Sequence, residues 1–115
     1  MTATFDTRIL DATLRRQREG LEAERIQVLD RVRRALLAVR DRHGIASAYI
    51  IGSLLRPYGW HRHSDVDVAV GGCSHGILEV MAALEEATGR EADVVDLDRH
   101  PCADSFTRSG LCIYG

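Results

Sequence analysis

Gly52-Ser53-Leu54-Leu55-Arg56-Pro57-Tyr58-Gly59-Trp60-His61-Arg62-His63-Ser64-Asp65-Val66-Asp67-Val68-Ala69-Val70 is the stretch that decides how this chain is read. Two aspartates two positions apart stand in a run of valines, where the pattern otherwise spells a β-strand. Asp is disfavoured in strands and costly to bury without a partner, so the pair asks for a counter-charge. Side chains at i and i+2 of a strand point to one face. Asp65 and Asp67 therefore converge there, while Val66, Val68 and Val70 turn into the core. Convergent carboxylate oxygens are hard ligands that suit Mg²⁺. Gly52-Ser53 adds a second element, because glycine lets a backbone approach a ligand closely and its N–H groups, with a serine hydroxyl, suit a phosphate.

Working outward, the residues from about Asp6 to His43 are rich in helix formers. Leu10, Leu14, Leu21, Ile26, Leu29, Val32, Leu36 and Val39 recur at helical spacing among Arg and Glu. This predicts one long amphipathic helix, or two with a break at Gly20, ending at Gly44. The clustered charges read as a solvated face or a partner-binding face. Beyond it, Ile45 to Ile51 reads as a strand running into the Gly-Ser turn, Asp65 to Val70 as a second strand, Ile77 to Thr88 as a helix stopped by Gly89, and Ala92 to Leu97 as a third strand. Pro101 opens a polar turn, and Leu111-Cys112-Ile113-Tyr114 is a short last strand. The fold class is α/β (α+β): a small mixed sheet with helices packed on one face and a long N-terminal helix. The chain divides into a helical segment 1–43 and a core 44–115, one domain overall.

These elements closely resemble the minimal nucleotidyltransferases (MNT) of the DNA polymerase β superfamily. The matching residues are Gly52, Ser53, Arg56, Asp65 and Asp67 in order, then Gly89-Arg90-Glu91-Ala92-Asp93-Val94-Val95-Asp96-Leu97, and the closing Gly-x-x-Ile-Tyr. Pro57 stands where that family commonly has Gly, with Gly59 two places on. The resemblance implies a polymerase β-like fold, nucleotide binding by Gly52, Ser53 and Arg56, and two Mg²⁺ ions (or Mn²⁺) held by Asp65, Asp67 and a third acid. Strand parity alone leaves Asp93 and Asp96 both open as that third acid, and the family pattern matches Asp93. It further implies transfer of AMP from ATP to a hydroxyl, typically a tyrosine of a small helical HEPN-type toxin, so that the protein acts as an antitoxin. Two rival readings are a binding module that inhibits its partner by contact, and a nucleotidyltransferase acting on a small molecule.

Composition sets outer bounds. The net charge is −2, which gives no overall electrostatic footprint for nucleic acid, and no direct nucleic-acid contact is expected. No run approaches the roughly 18 apolar residues of a membrane span, and Met1 to Asp6 lack the pattern of a signal peptide, so a cytoplasmic location is expected. A homo-oligomer is compatible with the sequence. Cys73, Cys102 and Cys112 lack metal-ligand or disulfide spacing and read as reduced structural thiols, and His75 and His100 have no partners at zinc spacing. In the loop before Asp65, His61, Arg62 and His63 could meet phosphates or simply be solvated. Tyr58 and Trp60 could stack on a base or pack down to anchor the loop.

Overall fold

A computed structural model describes residues 7–73 and 75–115. Asp6, where the first helix is expected to begin, lies outside them. Thr7–His43 form one unbroken helix, α1, of 37 residues. The break expected at Gly20 does not occur. A single glycine costs a helix about 1 kcal/mol relative to alanine, too little to interrupt strong helix formers on both sides. Val28, Val32, Leu36 and Val39 bury the inner stripe of the second half of α1, and Gly44 closes the helix at a left-handed φ of 63°. Strand β1 (Ser47–Ile51) starts two residues later than Ile45, because the Ile45 N–H still reaches back to the Arg40 carbonyl at 3.1 Å.

A single 3₁₀ turn, Gly52–Leu55, leaves β1, and after a loop the chain enters β2 (Val66–Gly71). Helix α2 (Ile77–Thr88) crosses to β3 (Ala92–Asp96). The segment after Pro101, expected as a polar turn, instead contains a short helix, α3 (Ala103–Ser109), before β4 (Leu111–Tyr114). Its residues carry no apolar stripe long enough to announce a helix, and none of them is buried.

The sheet is mixed, in the order β3-β2-β1-β4: β2 and β3 are parallel and the other pairs antiparallel. The parallel pair needs a crossover, which α2 supplies. Helices α1 and α2 cover one face, where Ile50, Val66, Val68, Val70, Val80 and Leu84 meet the stripe of α1. Tyr114 fastens the last strand to that helix through a hydrogen bond from its hydroxyl to the Leu36 carbonyl at 3.0 Å. Burial pushes the phenol up to about 12, so it stays protonated and donating. Helix α3 touches β1, and Gly110 at its end lies against Ile51, which by parity faces away from Ile50. Among the described residues no helix is long and apolar enough to cross a membrane.

Candidate active site

The register of three strands builds the site. In the parallel pair, Asp67 stands directly beside Asp93, and in the antiparallel pair it stands beside Ile51. Cross-strand partners share a face, so the carboxyl groups of Asp67 and Asp93 emerge together. Gly52, the next residue after Ile51, then falls against Asp67. Its φ is 77°, and a Cβ built there would sit 2.6 Å from Asp67 Oδ2. Glycine is required twice over at this position, by its backbone angle and by the space beside the carboxylate. Asp65 lies one residue before β2 and is exposed.

The electrostatics follow from this crowding. The Asp67 carboxyl is held above its ordinary range first by desolvation, then by the charges of Asp93 and Asp65, and finally by a hydrogen bond shared with Asp93. A cation would reverse that penalty, and the missing side chain at Gly52 lets its backbone lie close against Asp67 Oδ2. In these respects the acids fit a divalent ion. Among the described residues no three His, Cys, Asp or Glu side chains are gathered tightly enough to enclose one, so the acids mark a shared face of the sheet rather than a closed cage. Ser53 is half-buried at the start of the 3₁₀ turn, and Arg56 is exposed beside it. Arg56 forms no ion pair among the described residues.

Asp96 lies elsewhere. It stands beside Val70, three residues along β3 from Asp93 or about 10 Å of strand. Its Oδ1 accepts the Asp98 N–H at 3.0 Å, and Arg99 Nε lies 3.9 Å from Oδ2. The alternatives that parity left open are thus separated by register.

Helix α1 also holds the loop that joins the Gly-Ser turn to Asp65. Glu22 is buried and chelates Arg25, with Arg25 Nε at 2.8 Å and Nη2 at 2.5 Å from Oε1. Arg25 Nη1 donates to the Leu54 carbonyl at 2.6 Å, while the Tyr58 N–H donates to Glu22 Oε2 at 2.6 Å. The bond from Arg25 and that from Tyr58 hold Glu22 below the ordinary carboxylate range, against the opposing effect of burial. Further along, Arg90 Nη1 donates to the carbonyls of Arg62 (2.7 Å), Ser64 (3.1 Å) and His61 (3.3 Å), and Nη2 pairs with Glu24 at 2.5 Å. The guanidinium also covers the Trp60 ring at 4.8 Å. Trp60 is buried and packs the loop down, whereas the Tyr58 ring is partly exposed and lies under Arg18.

Sequence reasoning missed Glu22, Glu24 and Arg25 because they look like members of a solvated charge pattern. Only the i, i+3 placement of Glu22 and Arg25 beside the apolar stripe hints otherwise. Arg62 and His63 keep exposed heads and, with Asp65, Gly89 and Glu91, line an open groove next to the acids. His75 is exposed, His100 Nδ1 accepts the Cys102 N–H at 3.0 Å, and all three cysteines are free.

The sequence matches no protein-family profile and no curated protein. Solved structures do share its fold. One described as a toxin-antitoxin with AMP-PNP superposes with a TM-score of 0.60 at 21% identity, over 72% of this chain and 73% of that one. A mutant of the toxin-antitoxin MntA-HepT, in which two aspartates two positions apart became glutamates, gives 0.58 at 19% over 72% of each chain. The MntA-HepT structure itself gives 0.55 at 20% over 74% of this chain and 70% of that one. This chain therefore has the fold that the resemblance to minimal nucleotidyltransferases implied.

Proposed function

We propose that this protein is a metal-dependent nucleotidyltransferase that moves AMP from ATP to a hydroxyl, a tyrosine of a helical HEPN-type partner, and so acts as an antitoxin. The observation that carries the reading is the register that sets Asp93 beside Asp67, with the Gly52 backbone lying close against the same carboxylate. The neighbours support the rest: their descriptions name toxin-antitoxin pairs, and one contains AMP-PNP, an ATP analogue.

In this reading Asp65, Asp67 and Asp93 hold the divalent ions, Mg²⁺ or Mn²⁺. When bound, such ions supply positive charge to the triphosphate and make the acceptor hydroxyl more acidic. The chain's own groups do the positioning. Backbone at Gly52 approaches the phosphates, the Ser53 hydroxyl donates to a phosphate oxygen, and the Arg56 guanidinium neutralises part of the triphosphate charge. An Asp93 carboxylate oxygen accepts the proton of the acceptor hydroxyl. The hydroxyl oxygen then forms a bond to the α-phosphorus in line with the α–β bridging oxygen, and the bond to that oxygen breaks as pyrophosphate leaves.

The test is label transfer from α-labelled ATP to a co-expressed helical partner in Mg²⁺, with intact mass showing the added AMP. The parent should transfer, and Asp93→Asn should bind ATP and partner but lose transfer. ATP binding without transfer in the parent would favour inhibition by contact, and transfer intact in Asp93→Asn would remove that residue from the reaction.

A further inference from the structure

We propose that the N-terminal half of α1 is a self-association surface, on which a second copy of this chain lies antiparallel. The molecule measures 69 × 26 × 18 Å, and its length comes from α1, which at 37 residues extends about 56 Å. The described helix contributes no buried residue before Glu22. Yet the apolar stripe does not stop there. Leu10, Leu14, Gln17 and Leu21 follow one another at spacings of four, three and four, in phase with Val28 of the buried stripe one heptad on. Leu10 is 45% exposed, Leu14 53% and the flanking Ile9 71%. A stripe with this 3.5-residue period is the seam of a helix pair; Leu21 packs on the edge of the core, whereas Leu10 and Leu14 stay exposed among the described residues.

Charge and space argue for a second copy as the occupant. Set two helices antiparallel, with Leu14 of one level with Gln17 of the second copy and Leu10 level with Leu21 of the second copy. Asp11 and Arg18 then lie on the same flank of the seam, and each faces the opposite charge of the other chain. Neither forms an ion pair within the chain among the described residues, and Arg18 rests only on the Tyr58 ring. On the other flank stand Thr13 and Gly20. A Cβ at Gly20 would meet nothing within 4 Å, so the monomer does not explain a glycine in mid-helix, whereas a closely approaching second helix does. The tip of the second copy would end in the apolar groove lined by Leu14, Gln17, Leu21, Tyr58 and Trp60, and the two-fold repeats the contact.

Sedimentation equilibrium of the full chain tests this. The parent should show a concentration-dependent dimer. L10E/L14E should weaken it by at least about 100-fold, because two buried leucines are lost from each copy. At concentrations where the parent is monomeric, its circular dichroism and melting temperature should match the parent's, since both side chains are exposed in the monomer. D11R and R18D should each weaken the dimer, and D11R/R18D should restore it, because the exchanged charges meet again only across an antiparallel seam. A parent that stays monomeric at every concentration would overturn the proposal and leave the stripe to a protein of another sequence. A dimer indifferent to L10E/L14E would overturn it too, and failure of the double exchange to recover would overturn the antiparallel register.

Discussion

Two acidic pairs at opposite ends of the β2–β3 ladder meet different fates. At one end Asp67 and Asp93 stand side by side with Asp65 near them, and no N–H, hydroxyl or cationic side chain of the described residues donates to the three. At the other end Asp96 and Asp98 are occupied. Asp96 Oδ1 accepts the Asp98 N–H, and Asp98 Oδ2 accepts the N–H of Gly72 at 2.8 Å, tying the turn after β3 to the end of β2. The residue type is the same and the separation along the sheet is small. The hydrogen-bond partners distinguish the two: acids that brace a turn are satisfied by the chain itself, whereas the clustered acids have no donor among the described residues but one another.

The largest expected effect sharpens this contrast. Asp65→Asn or Asp67→Asn should reduce AMP transfer by at least about 100-fold, read by label incorporation, because each removes a charged oxygen from the proposed ion site. The fold should survive and even gain. Asp67 is held above its ordinary value of 3.8, so in the parent without divalent ions its penalty is absent in acid and appears as pH rises through the raised folded value. Thermal melts in chelator should therefore show Asp67→Asn more stable than the parent at neutral pH, with the gap closing in acid. Undiminished transfer in either variant would break the comparison.

Next comes the turn that lies against Asp67. Gly52→Val should abolish measurable ATP binding by calorimetry, since its side chain would enter the space of Asp67 Oδ2 and strain a φ of 77°. Ser53→Ala should weaken binding by about 10-fold or somewhat more, the loss of one hydrogen bond to a charged group. Equal affinity of both variants with the parent would reduce Gly52-Ser53 to a structural turn.

A smaller effect is expected at the brace beneath the turn. Glu22→Gln should lower the melting temperature and weaken ATP several-fold, because Arg25 and the Tyr58 N–H lose their shared carboxylate. Glu22 is held below its ordinary value of 4.5, so its stabilisation is full above that value and fades as pH falls through the lowered folded one. The difference between the parent and Glu22→Gln should shrink in that acid window. A melting temperature unchanged at neutral pH would show that the pair braces nothing.

The smallest effect belongs to the occupied pair. Asp98→Ala should cost about 1 kcal/mol of stability through the lost bond to Gly72, with transfer unchanged. A loss of transfer comparable to that of Asp67→Asn would mean that hydrogen-bond occupancy does not separate the two pairs.

Much of this was legible beforehand because it is local. The alternation of aspartate and valine at 65–70 predicts which side chains share a face, and helix α2 and strand β4 fall at the residues their spacing predicts. Helix α3 was not legible, since seven largely polar residues after a proline carry no stripe to bury. Nor was the continuity of α1 through Gly20, where one weak position is outweighed by the residues around it.

The sequence by itself determined that Asp65 stands two positions before Asp67, and it supplied the glycine turn and the strand–turn–strand context that suggests a nucleotide. These depend on a period of two and on the conformational freedom of one residue. Tertiary structure alone decided that Asp93 rather than Asp96 stands beside Asp67, and that Glu22, Glu24, Arg25 and Arg90 hold the loop in place. Parity is a property of one strand and can be counted along the chain. Register and long-range bonds such as Tyr58 to Glu22 join residues far apart in sequence, and they exist only once β2, β3 and α1 have packed on one core.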